Sequence, residues 1–390
     1  MKKVFVTLLV LATLFTVFAN GAQEVKADQG PIKIGSIQDL SGSAANAGIP
    51  NAWGAEYAVK VINENGGING RMIEITTLDC KNDVTEGLNA YHKLVDEIGV
   101  CAIIGPALSN PASAWVELSA EDQVPIVGHF MDELCTTNPD TGETYEYMFL
   151  CEPSCGQQAR DLAKYAMETL GNKKIAVLYN PGNAFAKAQV DPFIEYVKAQ
   201  GCEIVDVETF GWADKDYSAQ ALKIVASGAD SVFLGDYLGQ MLIAYDALRD
   251  AGFKGDVLGA NTMAPPFADQ VKNEVYGCYF LQNYDMLNKE VGNIYEITQL
   301  NMKEQNIATP QVNTGFGWDA VIVLTEAMKK AKDPTDGAEL AALIAQTKDV
   351  ELSGGVKITL NEQHRTDTMG MYIATYENKQ MKIIGFEQVQ

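Results

Sequence analysis

The chain has 390 residues, of which 47% are hydrophobic, and carries a formal net charge of −22. This length exceeds what one ordinary hydrophobic core organises and suits two domains of common size. The strongly acidic balance repels nucleic acid and anionic lipid, so it argues against a role in nucleic-acid binding.

The N-terminal segment predicts a cleaved secretory signal peptide at residues 1–22. Two lysines precede an apolar run over 4–18, and small residues offer cleavage after Ala19 or Ala22. This order of positive charge, apolar run and small-residue exit is typical of such signals. The run is shorter than the roughly 20 apolar residues of a membrane-spanning helix. Because no cysteine precedes Cys80, we expect an exported, periplasmic protein that is not a lipoprotein.

Strands alternate with helices along most of the remaining chain, which predicts parallel sheets covered by helices on both faces. Two series of similar length follow one another, so we expect an α/β protein with two doubly wound lobes. The first series of strands is predicted at 32–37, 72–78, 100–104 and 124–127, and the second at 174–179, 203–210, 231–234 and 256–259. Helices are predicted at 88–98, 159–170, 193–200, 218–227 and 240–252.

The last third of the chain departs from this alternation. Helices are predicted at 291–305, 317–331 and 338–347, and short strands at 356–360, 371–376 and 381–386. Polar turn residues separate these strands, which is typical of antiparallel pairing.

Residues 52–82 carry the most specific motif, AWGAEYAVKVINENGGINGRMIEITTLDCKN. Apolar residues recur at the spacing of one helix face, Gly66-Gly67 ends that helix, and a β-rich run follows Asn69-Gly70. This run resembles the first helix and second strand of the type I periplasmic binding proteins, the family of the branched-chain amino acid receptors of ABC importers. The resemblance implies solute capture without catalysis or a cofactor, with the ligand in a cleft between the lobes.

The resemblance also implies that the chain crosses between the lobes three times, through a three-segment hinge. We place the crossings near residues 153, 282 and 353. Lobe 1 then comprises residues 30–153 and 283–352, and lobe 2 comprises residues 154–282 and 353–390.

In open α/β sheets, ligands bind beyond the carboxyl ends of the strands. After the first strand, Ser41 and Ser43 lie in a short loop that either binds an anionic group or serves as an ordinary turn and helix cap. After the third strand, Ser109 and Asn110 occupy a loop that resembles the family's binding site for the ligand carboxylate. The same two residues would also serve as a helix N-cap, and both roles are compatible.

The loop after the fourth strand, Gly-His-Phe-Met-Asp, is bulkier than the small and hydroxyl residues of the family. There Asp132 either receives a ligand ammonium or is an ordinary loop acid. Asn261 stands where amino-acid-binding relatives carry the acid for that ammonium, so the role moves to Asp132 or Asp236, or the ligand lacks an ammonium. Since an unpaired buried charge costs several kcal/mol, the missing acid matters.

Aromatic residues complete the predicted site. Phe185 follows the first strand of the second series and offers a lid, and Tyr237 matches a tyrosine that relatives close over the ligand. Trp318 is either a wall of the pocket or part of the core.

The seven cysteines of an exported chain are more readily paired in disulfides than bound to metal. A bridge between Cys135 and Cys151 would close the intervening loop, and it is the pairing we expect. The three histidines are too scattered to indicate a metal site.

These features predict a monomeric solute-binding protein that delivers a small polar ligand to an ABC permease in the inner membrane. A branched-chain or related amino acid is the leading ligand class, and small amides or urea come next. A sensor that signals to a membrane receptor uses the same clamp and is a second hypothesis. An enzyme is disfavoured because the chain has no dinucleotide, P-loop or nucleophile-elbow motif.

Overall fold

The computed structural model describes residues 30–106, 108–366 and 369–387, and the predicted signal peptide lies outside these residues. The strands are β1 Ile32–Gln38, β2 Ile73–Asp79, β3 Ile103–Ile104, β4 Ile126–Gly128, β5 Met148–Leu150, β6 Lys174–Tyr179, β7 Glu203–Thr209, β8 Ser231–Leu234, β9 Asp256–Gly259, β10 Cys278–Gln282, β11 Val350–Glu351, β12 Lys357–Ile358, β13 Met371–Glu377 and β14 Gln380–Glu387. The helices are α1 Ala45–Glu64, α2 Val84–His92, α3 Ser109–Ala112, α4 Val116–Glu121, α5 Cys155–Glu168, α6 Ala184–Ala199, α7 Ser218–Ser227, α8 Leu238–Asp250, α9 Phe267–Gln270, α10 Ile294–Gln305, α11 Val312–Met328 and α12 Gly337–Ile344.

Two separate sheets organise these elements. Sheet 1 has the order β2-β1-β3-β4-β5 and is parallel throughout. Sheet 2 has the order β14-β13-β10-β9-β8-β6-β7, with antiparallel pairing only where β13 joins β10 and β14. Strands β11 and β12 form a small antiparallel ribbon apart from both sheets. The predicted α/β class with two parallel sheets is confirmed.

Each sheet is covered on both faces, because successive side chains of a strand point to opposite sides. On β4, Ile126 packs into one hydrophobic cluster and Val127 into another. On β6, Ile175 and Ala176 divide between two further clusters in the same way. Nearly continuous apolar strands are therefore explained by burial on both faces.

The chain passes between the sheets three times. It leaves sheet 1 after β5, leaves sheet 2 after β10, and returns to sheet 2 at β13. Before the last passage, Leu352, Ile358 and Leu360 pack in the same cluster as β1 and α11, on one face of sheet 1. The lobe boundaries themselves remain a prediction.

Helices α1 and α11 cross at unusually short distance on sheet 1. A Cβ on Gly54 of α1 would lie 2.1 Å from the backbone oxygen of Thr314, and a Cβ on Gly317 of α11 would lie 1.9 Å from that of Asn51. Only glycine permits this approach of two backbones. The crossing places the first turns of both helices at the edge of the sheet where its strands end.

Some elements differ from their predicted extents. Strands β5 and β10 were not anticipated, since three to five apolar residues do not distinguish a short buried strand from a buried loop. Helix α6 begins at Ala184 rather than 193, with Pro192 in its interior. A proline after acidic and polar residues is typical of a helix start, and here the helix runs through it.

The predicted Cys135–Cys151 disulfide is not formed, and all seven cysteines are free thiols. Cys135 packs in the cluster on one face of sheet 1, and Cys151 packs in the cluster on the opposite face. The thiol of Cys135 donates to the backbone oxygen of Ser109 at 3.7 Å. Burial raises the pKa of both thiols well above its ordinary value. The intervening sheet separates the two side chains.

Among the described residues, no helix combines the length and apolar character needed to cross a membrane.

Candidate functional site

A cavity of about 40 Å³ lies where loops from the two sheets meet. Its lining combines apolar, aromatic and neutral polar side chains, and comprises Asn46, Ala47, Leu108, Met131, Phe185, Tyr237, Leu238, Asn261, Thr262, Ala264, Pro265, Pro266, Gln311, Val312, Asn313 and Phe316. Leu108 and Met131 follow β3 and β4, whereas Phe185, Tyr237 and Asn261 follow β6, β8 and β9. The cavity therefore occupies the carboxyl ends of the strands of both sheets, the usual ligand position in this class of fold.

Aromatic rings form two walls of this cavity. Phe185 and Tyr237 stack with their centroids 5.3 Å apart and their planes at 17°. On another wall, Phe316 of α11 stacks on the buried ring of His129 at 4.3 Å. Burial lowers the pKa of His129 to about 3, so this imidazole is neutral and acts as an apolar support.

Helix N-termini converge on the same cavity. Asn46 and Ala47 belong to the first turn of α1, Leu238 begins α8, and Val312 and Asn313 begin α11. The first backbone N–H groups of a helix have no intrahelical acceptor and carry a partial positive charge. Together these helix starts make the cavity favourable for a carboxylate.

Asn110 bridges the two sides of the cleft. Its Nδ2 donates to Asn183 Oδ1 at 3.0 Å and to the Tyr237 hydroxyl at 3.2 Å. Its Oδ1 accepts the backbone N–H of Ala184 at 3.0 Å. One side chain that follows β3 of sheet 1 therefore holds two loops of sheet 2, and the cleft is closed in this structure.

The two acids predicted near the ligand do not line the cavity. Asp236 is buried, and its carboxylate accepts N–H groups from Asn180 at 3.1 Å, Asn183 at 2.8 Å and Tyr237 at 2.7 Å. Burial raises the pKa of Asp236 to about 6. Asp132 accepts the backbone N–H of Leu134 and lies on a neighbouring cavity of about 290 Å³. Both carboxylates organise loops behind the cavity wall.

The remaining predicted residues lie at different distances from the cavity. Ser109 adjoins the lining residue Leu108, and its hydroxyl accepts the backbone N–H of Asp132 at 3.2 Å. Ser41 donates to the carboxylate of Asp79 at 2.5 Å, and Ser43 accepts from Asn82 at 2.9 Å, so both join the loops after β1 and β2. Trp318 packs against Tyr57, 5.6 Å between centroids, in the core of sheet 1.

Several lining residues were not anticipated, chiefly those of the segment 311–316 and the loop 262–266. The loop 262–266 continues the loop after β9 beyond Asn261, whereas the segment 311–316 does not follow a strand of either predicted series. The predicted start of a helix near α11 could have indicated these lining residues. A helix N-terminus that points toward the cleft contributes N–H groups to the site, as a loop at a strand end does. Its direction is decided only by the crossing with α1.

Two acids are buried beside the passages between the sheets. Asp319 Oδ2 accepts the Tyr284 hydroxyl at 2.7 Å, and Oδ1 accepts the backbone N–H of Ser353 at 2.7 Å. Burial raises the pKa of Asp319 from 3.8 to about 7. Burial raises the pKa of Glu152 well above its usual range, and the nearby Asp319 adds to the shift.

We expect Asp319→Asn to remove a pH dependence of stability. A carboxyl whose folded pKa exceeds its unfolded pKa binds more protons when folded, so stability falls as the pH rises from about 4 to about 7 and then levels. Asparagine keeps an acceptor for Ser353 but does not ionise. Urea denaturation at pH 4.5 and pH 8 measures the difference, and an equal decline in both proteins would contradict this role of Asp319.

A sequence profile described as periplasmic binding protein matches residues 31–380. The Leu/Ile/Val-binding protein homolog 3 of Brucella melitensis is 27% identical over 358 residues, which cover 91% of this chain and 94% of that protein.

Solved structures agree with this result. The branched-chain amino acid transporter substrate binding protein LivJ of Streptococcus pneumoniae, in complex with isoleucine, is 26% identical and has a TM-score of 0.81. The match covers 92% of this chain and 99% of that chain. The leucine binding protein LivK of Thermotoga maritima has a TM-score of 0.83 at 21% identity, with 92% and 99% of the two chains covered, and supports the fold alone.

Proposed function

Because this chain belongs to the periplasmic binding protein family, we propose that it is the exported solute receptor of an ABC importer and captures a branched-chain or related amino acid. The observation that carries this proposal is the cavity at the strand ends, which two aromatic walls and several helix N-termini enclose. The relatives named as Leu/Ile/Val-binding and the isoleucine-bound neighbour support the ligand class.

The ends of an amino acid match different parts of the cavity. Its carboxylate is stabilised by the helix N-termini at Asn46, Leu238 and Val312, since these expose N–H groups and partial positive charge. Its aliphatic side chain removes apolar surface from water against Phe185 and Phe316, at about 25 cal/mol per Å². A few charge-assisted hydrogen bonds and this burial are sufficient for micromolar affinity, about −8 kcal/mol.

Ligand entry requires the cleft to open. The cavity of about 40 Å³ has room for about three water molecules, which is less than an amino acid occupies. We propose that lobes with the predicted boundaries move about the three interlobe segments and that the ligand shifts the equilibrium toward the closed form. The closed form would present a surface from both lobes to the permease, without catalysis.

Thermal unfolding of the full chain with each amino acid tests the proposed ligand. We expect leucine, isoleucine or valine to raise the melting temperature, because ligand at 100 times its dissociation constant adds about 2.7 kcal/mol of stability. Calorimetry then gives the affinity and a stoichiometry of one ligand per chain.

Glutamate and lysine are the matched control ligands. No lining residue among those described carries a charge that would neutralise a second ligand charge, and an unpaired buried charge costs several kcal/mol. We therefore expect no stabilisation by either. Stabilisation by charged amino acids, or by none of the aliphatic ones, would contradict the proposed ligand class.

A further inference from the structure

Asn261 is the most deeply placed polar side chain on the sheet 2 side of the cavity. It is 3% exposed and follows β9, and its backbone oxygen accepts the N–H of Ala264 at 2.9 Å. The side-chain Nδ2 donates to Asn283 Oδ1 at 3.4 Å and also faces Sδ of the lining residue Met131 at 3.9 Å. Among the described residues no group donates to its Oδ1, so the oxygen is the atom that remains for a ligand.

This orientation is set from behind by a chain of hydrogen bonds, which we call the relay and which consists of Glu152, Asn283 and Asn261. Asn283 Nδ2 donates to Glu152 Oε2 at 2.6 Å. Since Nδ2 of Asn283 is directed at a carboxyl oxygen, its Oδ1 is turned toward Asn261 and can only accept there. Asn261 must then donate through Nδ2.

The relay is protected from water over its whole length. Glu152 is 1% exposed and Asn283 is 0% exposed. Glu152 Oε1 has no hydrogen-bond partner among the described residues, so Oε2 is its one engaged atom and accepts whether or not Oε1 carries a proton. An amide without a partner in such a site is destabilising, and a rotation of Asn261 would leave mismatched groups along the relay.

We propose that Glu152 and Asn283 are positioning residues that hold Asn261 with its Oδ1 facing the amino group of the ligand. This inference rests on the proposed function, because it assigns the amino end of the same amino acid. The backbone N–H groups at the helix N-termini of the cavity receive the carboxylate, and these groups are donors only. The ligand N–H groups need an acceptor, and the relay supplies a neutral one although no acidic residue lines the cavity among the residues described.

The relay also occupies two passages between the sheets. Glu152 lies between β5 and α5, and Asn283 directly follows β10. Both residues are therefore remote in sequence from the loop after β9 and do not line the cavity themselves. Within the relay, their contact with the amino end of the ligand would pass through Asn261.

Two probes with the same carbon skeleton test the relay in the full chain. L-leucine carries an amino group, and 4-methylpentanoate has the same side chain and carboxylate without it. Because both need the same closure of the cleft, the ratio of their affinities isolates the contact with Asn261. We expect the wild type to prefer leucine by about tenfold or more, the effect of one hydrogen bond with a charged partner.

Glu152→Leu removes the acceptor at the end of the relay, and we expect the affinity ratio to fall about tenfold. Glu152→Gln retains an acceptor oxygen of the same shape, so it should restore the ratio to within about threefold of the wild type. Asn283→Ala interrupts the relay at its middle and provides the same test if the leucine variant does not fold.

Asp319→Asn is the matched control, since Asp319 is a buried acid beside the same passages and bonds to Tyr284 and Ser353 instead of the relay. It should leave the ratio unchanged. Equal losses for both probes in Glu152→Leu, with an unchanged ratio, would mean a structural role and overturn the relay alone. A wild type that binds neither probe would overturn the relay and the proposed ligand together.

Discussion

Replacement of Gly317 by alanine is expected to lower the free energy of unfolding by about 3 kcal/mol, the range of an overpacked core. Alanine is otherwise the better helix former by about 1 kcal/mol. The close packing at this position therefore decides whether the free energy of unfolding rises or falls. The added Cβ would lie 1.9 Å from the backbone oxygen of Asn51 in α1. A backbone oxygen cannot rotate away as the end of a side chain can, so the two helices must separate.

Chemical denaturation of the full chain measures this effect, with Gly239→Ala as the matched control. Gly239 is in the first turn of α8, and an added Cβ there meets no atom within 4 Å. We expect that variant to be as stable as the wild type or slightly more stable. Wild-type stability of Gly317→Ala would contradict the close crossing of α1 and α11.

The crossing also has a functional consequence. The first turns of α1 and α11 supply Asn46, Ala47, Val312 and Asn313 to the cavity. Helices forced apart at Gly317 would move these N–H groups relative to the opposite wall. We therefore expect the stability loss to be accompanied by weaker ligand binding.

Replacement of Asn110 by alanine is expected to weaken ligand binding by about tenfold or more, since three hydrogen bonds are lost at about 0.5–1.5 kcal/mol each and about 1.4 kcal/mol is tenfold. The bonds from Asn110 to Asn183, Tyr237 and Ala184 join the two sides of the cleft. They exist only when the cleft is closed, so their loss shifts the equilibrium toward the open form. Calorimetry with leucine gives the change in affinity.

Ser41→Ala is the control for this experiment. Ser41 lies in the loop after β1, where its hydroxyl donates to Asp79 rather than to any group across the cleft. Its affinity should stay within about twofold of the wild type, as expected for a surface change within ±0.5 kcal/mol. In X-ray scattering, the unliganded Asn110→Ala protein should show a larger radius of gyration than the Ser41→Ala protein. Unchanged affinity and radius in Asn110→Ala would exclude its bridging role.

Sequence patterns predicted the strands and helices whose formation depends mainly on residues close in sequence. The strand at 32–37 and the helix at 218–227 follow from local apolar patterns, and the structure has β1 at Ile32–Gln38 and α7 at Ser218–Ser227, which ends at the left-handed Gly228. Strands β5 and β10 are too short for a regular alternation of side chains to be recognised in the sequence. Their pairing with β4 and β9 stabilises them as strands.

The sequence also predicted some residues of the candidate site and missed the orientation of others. The rule that ligands bind after strands pointed to Phe185, Tyr237 and Asn261, which line the cavity. The same rule cannot tell whether a nearby acid faces inward, and Asp236 is instead engaged by N–H groups of three loop residues. Side-chain direction in a loop depends on hydrogen bonds to residues distant in sequence.

Patterns in the chain are sufficient to predict the α/β class and the alternation that yields two sheets, and residues 52–82 carry the resemblance to the family. The class and the alternation follow from periodicity and glycine-rich turns within a few tens of residues. The packing of helices and sheets, rather than any local pattern, places Cys135 and Cys151 on opposite faces of a sheet and Asn110 across the cleft. The same packing brings Glu152 and Asn261 together through Asn283. Such contacts join residues up to more than a hundred positions apart, and their geometry depends on how whole helices and sheets pack.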